Sequence, residues 1–192
     1  MMESKTLDLL AFGETMIRFS PDGFDRIEQS HQLALHVGGS ESNTAVGLAR
    51  LGRRTAWVSR LTHNPLGRAI MHTLRGNGVD TSGVVWTDGE RVGLYFLETG
   101  IPPRASRVFY DRKGSAFSMW NAKDLSDAFF EKLRCSKWLL ITGISLALGE
   151  RTRELIACAV SKAREYGSRI VFDVNYRSLL CGHAEAREYF SP

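Results

Sequence analysis

Four short apolar runs constrain this chain more than any other feature: LDLLAFGE (7–14), TAWVSRL (55–61), KWLLITG (137–143) and RIVFDVN (169–175). Each is too short for a buried helix. Each is apolar at successive positions, as a strand covered on both faces must be. Between them lie stretches with helical punctuation. Residues 42–51 are rich in small apolar side chains, PLGRAIMHTLRGNG (65–78) has Pro at its start and Gly at its end, and GERTRELIACAVSKAREYG (149–167) is long and amphipathic. A further helix is expected around 124–133, a short strand at VVW (84–86), and another helix at HAEAREYF. Strands alternating with helices predict an α/β fold with a mostly parallel sheet.

Two regions break that rhythm. TMIRFS (15–20) and QLALHV (32–37) alternate polar with apolar, as do RVGLYFLE (91–98) and SRVFYDR (106–112), which are joined by a loop containing Pro102-Pro103. Alternation means one face buried and one exposed, so 15–37 and 91–112 predict a small second sheet standing off the main one. A sheet of this kind leaves edges open to pairing, which makes homo-oligomerisation through it an expectation.

Composition removes several classes. A hydrophobic fraction of 43% with 24% charged residues is that of an ordinary globular chain. No apolar run nears the roughly 20 residues of a membrane helix. The N-terminus, MMESKTLDLLAFGE, has acids on both sides of its apolar run, so we expect no signal peptide, no membrane association and a cytoplasmic location. The three cysteines, Cys135, Cys158 and Cys181, are far apart and no metal-ligand spacing occurs, so neither a disulfide framework nor a bound metal is expected. The net charge of +4 is spread along the chain without a basic stripe, which argues against nucleic acid and leaves small anions as arginine ligands.

The stretch VGGSESNTAVGLARLG (37–52) carries the first chemistry. Gly38 and Gly39 would let a ligand approach bare backbone, Ser40 or Ser42 can cap the helix that follows, and Asn43 in its first turn both donates and accepts. That set suits a ligand with many hydroxyls; it also suits a plain glycine turn with a capped helix. Gly47 to Gly52 has P-loop glycine spacing but lacks the Lys-Ser/Thr and lies at a helix end. No G-x-G-x-x-G follows the first strand, so a dinucleotide-dependent oxidoreductase loses its fingerprint.

GGSESNTAVGLARLG closely resembles the N-terminal signature of the ribokinase-like, or PfkB, carbohydrate kinases. LTHNPLGRAIMHTLRGNGVDTSGV and DVNYR (173–177) resemble later family segments in order and separation. GLYFLE, RVFYDRKGSA and FDVNYR together are similar to the 2-keto-3-deoxygluconate kinases among them. The resemblance implies a ribokinase-like fold whose small sheet is a lid, and a sugar-acid ligand bound by Gly38, Gly39, Asn43, Tyr95, Tyr110, Arg112 and Arg177. A planar guanidinium at Arg112 or Arg177 suits a carboxylate, and the two tyrosines offer a ring and a hydroxyl to a sugar. Glu14, at the end of the first strand, is a further candidate for sugar hydroxyls, and Asp173 and Asn175 either shape a strand end or lie near phosphate.

The family's chains are longer, and their second half carries a Gly-Ala-Gly-Asp motif that supplies an anion hole and the base. This sequence has no such motif. The resemblance therefore implies that residues 1–192 correspond to the N-terminal portion of one kinase domain, with ATP and Mg2+ as cofactors of the complete enzyme and no catalytic residue in this portion. A noncatalytic sugar-acid-binding module and a kinase of the same family acting on fructose or another keto-deoxy acid are the alternatives.

Overall fold

The computed structural model describes residues 5–190; the first four residues, where the reading of the N-terminus begins, lie outside them. Strand β1 (Leu7–Phe12) is central in a four-stranded sheet. Chain order then gives β2 (Met16–Ser20), β3 (Ala34–Gly38), α1 (Ser40–Arg50), β4 (Thr55–Val58), β5 (Arg60–Thr62), α2 (Pro65–Gly76) and β6 (Val85–Thr87). There follow β7 (Leu94–Glu98), β8 (Arg107–Asp111), α3 (Asp127–Cys135), β9 (Ser136–Thr142), α4 (Gly143–Ala147), α5 (Glu150–Glu165), β10 (Arg169–Asp173) and α6 (His183–Phe190).

The main sheet runs β10-β9-β1-β4 and every pair in it is parallel. Alternate residues of β1 serve different layers. Leu10 and Phe12 pack with Phe129, Leu133, Leu155 and Ala159 of α3 and α5, while Leu9 and Ala11 join Ala45, Ile70 and Leu74 of α1 and α2. Both faces are thus covered, which is why the run is apolar throughout. Phe12 anchors an aromatic cluster with Phe117, Trp120 and Phe129 at ring-centroid distances of 5.9, 5.7 and 4.8 Å. This cluster fixes the segment just after β8, and so the neighbourhood of Arg112.

The second sheet, β3-β2-β7-β8, is built from the alternating segments. Its β2–β3 and β7–β8 pairs are antiparallel and β2–β7 is parallel. Register puts Leu35, Phe19, Phe96 and Phe109 in one row across all four strands of one face, with Phe19 and Phe96 stacked at 5.7 Å. Leu35 and Phe109, at the two ends, are exposed. The opposite face carries Arg18, Tyr95 and Tyr110.

Three local expectations need correction. The run 55–61 is two strands, because the chain leaves the main sheet at Ser59 and β5 pairs with β6 instead. Helix α4, unannounced in the sequence, starts at Gly143, where a side chain would collide with the Val174 carbonyl. Neither Ser40 nor Ser42 caps α1: the N-cap is Gly39, with no side-chain cap bond. Ser42 Oγ instead donates to the Gly39 carbonyl at 3.2 Å and accepts from Thr15 Oγ1 at 2.7 Å, so it ties the helix start to the end of β1.

Candidate functional site

The carboxyl ends of β1, β9 and β10, the first turn of α1 and one face of the small sheet converge on a cavity of about 440 Å³. Parallel sheets present ligand sites at this end, because the loops there are free to diverge. Of the residues singled out from the sequence, Glu14, Gly38, Gly39, Asn43, Tyr95, Tyr110, Arg112 and Arg177 all line it. Asp173 and Asn175 do not. Asn175 holds a left-handed φ of 36°, accommodated by local bonds: its backbone N–H donates to Asp173 Oδ1 at 3.0 Å and its Nδ2 to Ser40 Oγ at 2.8 Å. The pair shapes the end of β10 and fastens it to the start of α1, immediately before Arg177.

The two glycines owe their bareness to the protein's own packing. A side chain on Gly38 would lie 2.8 Å from the Tyr95 hydroxyl. One on Gly39 would meet the Glu14 carbonyl at 2.6 Å and Thr15 Oγ1 at 2.7 Å. The absent Cβ atoms let the lid tyrosine and the β1 turn close over the helix start.

At the centre stands an ion pair between Arg112 and Glu14, both nearly buried. It spans 98 residues of sequence and joins the end of β1 to the end of β8. Both residues line the cavity, and Arg112 Nε and Glu14 Oε1 are buried with no hydrogen-bond partner, so one donor and one acceptor of the pair are unsatisfied. Buried polar atoms in native proteins are nearly always satisfied, and a pair left open in a cleft marks a place for a polar ligand. Tyr95 and Tyr110 stand beside it with ring centroids 5.9 Å apart, and the Arg112 guanidinium lies 5.9 Å from the Tyr110 ring centroid.

Two charged cavity residues, Glu41 and Arg18, escaped sequence reasoning. Glu41, in the first turn of α1, reads as an exposed acid favouring the helix dipole. It is instead wholly buried, accepting from Thr142 Oγ1 at 2.8 Å and Ser145 Oγ at 3.1 Å, and a side chain on Gly13 would collide with its carboxylate. Burial raises its pKa from 4.5 to about 7, against the lowering effect of those hydroxyls and of Arg112. Arg18 reads as the solvent side of an amphipathic strand, yet it lines the cavity.

Glu41 therefore makes stability fall with pH. Its folded pKa exceeds its unfolded value, so its contribution is complete below about 4.5 and is lost as pH rises through 7. The full loss is about 3 kcal/mol by linkage. Glu41→Gln should match the wild type in urea unfolding at pH 4 and exceed it at pH 8. Parallel stability profiles for the two proteins would show that this carboxyl does not titrate as its burial implies.

The parallel sheet, its flanking helices and the small sheet over the cleft together make the ribokinase-like α/β fold. The chain belongs to the pfkB family carbohydrate kinases, whose pattern it matches over residues 6–187. It is 39% identical over 183 residues to a 2-dehydro-3-deoxygalactonokinase of Haloferax volcanii, covering 95% of this chain and 56% of that protein. A 5-dehydro-2-deoxygluconokinase of Geobacillus kaustophilus is 35% identical over 178 residues, covering 91% and 51%. Among solved structures, a 2-dehydro-3-deoxygluconokinase of Thermotoga maritima superposes with a TM-score of 0.90 at 36% identity, covering 95% of this chain and 55% of that one. The chain spans about half the length of the curated relatives it matches. Among the described residues no helix is long and apolar enough to cross a membrane.

The sequence has no Gly-Ala-Gly-Asp. No group of three or more histidine, cysteine or acidic side chains among the described residues is placed to hold a metal ion.

Proposed function

We propose that the cavity binds a keto-deoxy sugar acid such as 2-keto-3-deoxygluconate, and that this chain is the substrate-binding portion of a sugar-acid kinase. The observation that carries the reading is the buried Arg112–Glu14 pair with its leftover donor and acceptor. One sugar hydroxyl can donate to the Glu14 carboxylate and another can accept from the Arg112 guanidinium. Asn43 offers both functions from the α1 side, while the tyrosines cover an apolar sugar face. Arg177 brings a second guanidinium from the end of β10. The names of the similar proteins, all kinases of dehydro-deoxy sugar acids, support the same class. The reaction of the whole enzyme would be transfer of the ATP γ-phosphoryl group to a hydroxyl of this acid.

Within that reading, Arg112 does more than carry charge, because its fork addresses Glu14 and the ligand together. Arg112→Lys keeps the charge and loses the fork, and should weaken binding of 2-keto-3-deoxygluconate about tenfold or more. Isothermal titration of the 192-residue chain with the acid and with fructose is the measurement. Fructose binding as tightly as the acid would end the sugar-acid reading. A noncatalytic sugar-acid module would share this site; turnover separates it from the kinase reading.

A further inference from the structure

Three arginines line the cavity, and they differ in what surrounds their charge. Arg112 is neutralised by Glu14. Arg177 is exposed, so water screens it. Arg18 is half-buried on β2, in the middle of the small sheet, with His36 and Tyr95 as its cross-strand neighbours. No carboxylate of the described residues lies within ion-pair distance of it, and its Nε is buried without a hydrogen-bond partner.

A cation drawn out of water without a counter-ion is costly, and a fold tolerates it where something else supplies the anion. Placement makes Arg18 effective for this. Two opposite charges attract several-fold more strongly at the effective dielectric of a protein surface than in water. By contrast, a carboxylate arriving at Arg112 also meets the Glu14 carboxylate, so the net Coulombic gain there is small. Arg112 contributes geometry more than charge.

We propose that Arg18 is the specificity-determining residue that separates sugar acids from neutral sugars at this site, its guanidinium supplying the uncompensated positive charge that the ligand's carboxylate meets on the lid wall. This rests on the sugar-acid reading above. The ligand would lie between the Arg18–Tyr95–Tyr110 row of the lid and the Glu14–Arg112 pair. The acid end is held by net charge from the lid, and the hydroxyls by the pair below.

The test is calorimetric titration of the 192-residue chain and its Arg18→Gln and Arg18→Lys variants with two ligands. One is 2-keto-3-deoxygluconate; the other is the same sugar with its carboxylate reduced to a hydroxymethyl group. Each is run at about 20 and 200 mM sodium chloride to read screening. We expect the wild type to prefer the acid by about tenfold or more, a preference that salt erodes. Arg18→Gln should lose about tenfold on the acid, bind the neutral analogue as before, and lose the salt dependence. Arg18→Lys should retain part of the preference. If Arg18→Gln fails to fold by circular dichroism, Arg18→Met, which keeps the apolar stem, takes its place. A neutral variant with the wild-type acid preference would overturn Arg18's role and leave the sugar-acid reading standing. Equal losses on both ligands would mean that Arg18 merely supports Tyr95, which also overturns it. A wild type with no preference for the acid would remove the sugar-acid reading and this inference with it.

Discussion

Given ATP, magnesium and 2-keto-3-deoxygluconate, the 192-residue chain should release no ADP above background. Phosphoryl transfer asks a protein to position the reactants, neutralise developing charge and accept a proton. The residues around this cavity answer only the first demand. Glu14 is tied to Arg112, and Glu41 to Thr142 and Ser145. Glu14 follows no helix start, and Glu41, although it follows Gly38 and Gly39 at the start of α1, is buried and already held by two hydroxyls. An anion hole and a general base contribute roughly 10²-fold or more each, so lacking both costs on the order of 10⁴-fold in rate. Fusing the chain to the C-terminal half of one of its longer relatives should restore turnover. Strand β10 is where such a half would join: it is one of the two edges of the main sheet, and Val171 and Val174 stand exposed on and just after it. Robust ADP release by the unfused chain would mean that the catalytic group lies among residues assigned here to binding. A well-folded fusion that binds the acid but never turns over would favour the noncatalytic module.

Arg112→Met should destabilise the chain by about 3–5 kcal/mol, because it strands Glu14 as an unpaired buried carboxylate. That is a large share of the roughly 5–15 kcal/mol that holds a typical domain together. Pairing it with Glu14→Gln should recover most of the loss, since no charge is then left in the interior. Urea unfolding of the two single variants and the double variant closes the cycle. Additive losses would show that the two side chains contribute independently and that water reaches both. Removing the pair together should preserve the fold and abolish ligand binding, which separates its structural work from its recognition work.

The parallel sheet was legible because burial on both faces leaves a one-dimensional trace. Leu9, Leu10, Ala11 and Phe12 must all be apolar when alternate side chains feed two cores. The small sheet was legible for the opposite reason, since a half-covered strand must alternate. Family resemblance placed the cavity-lining residues, from Asn43 through Arg177, on one list before any coordinates did. No local pattern showed that Arg112 and Glu14 neutralise each other, because the two lie 98 positions apart and either alone reads as a surface charge. Glu41 was hidden by its place in a helix's first turn, where an acid is at home in solvent. Only the packing of β1, β9 and α4 around it decided that it is buried and titrates near neutrality. The sequence by itself thus determined that apolar runs build one parallel sheet and alternating runs a second; it did not show that 55–61 splits and that β5 pairs with β6. The tertiary structure alone decided which charges are cancelled, which are left open, and which glycines serve the protein's own side chains. Charge compensation and close approach are properties of distances, and distances between remote segments exist only once the chain has folded.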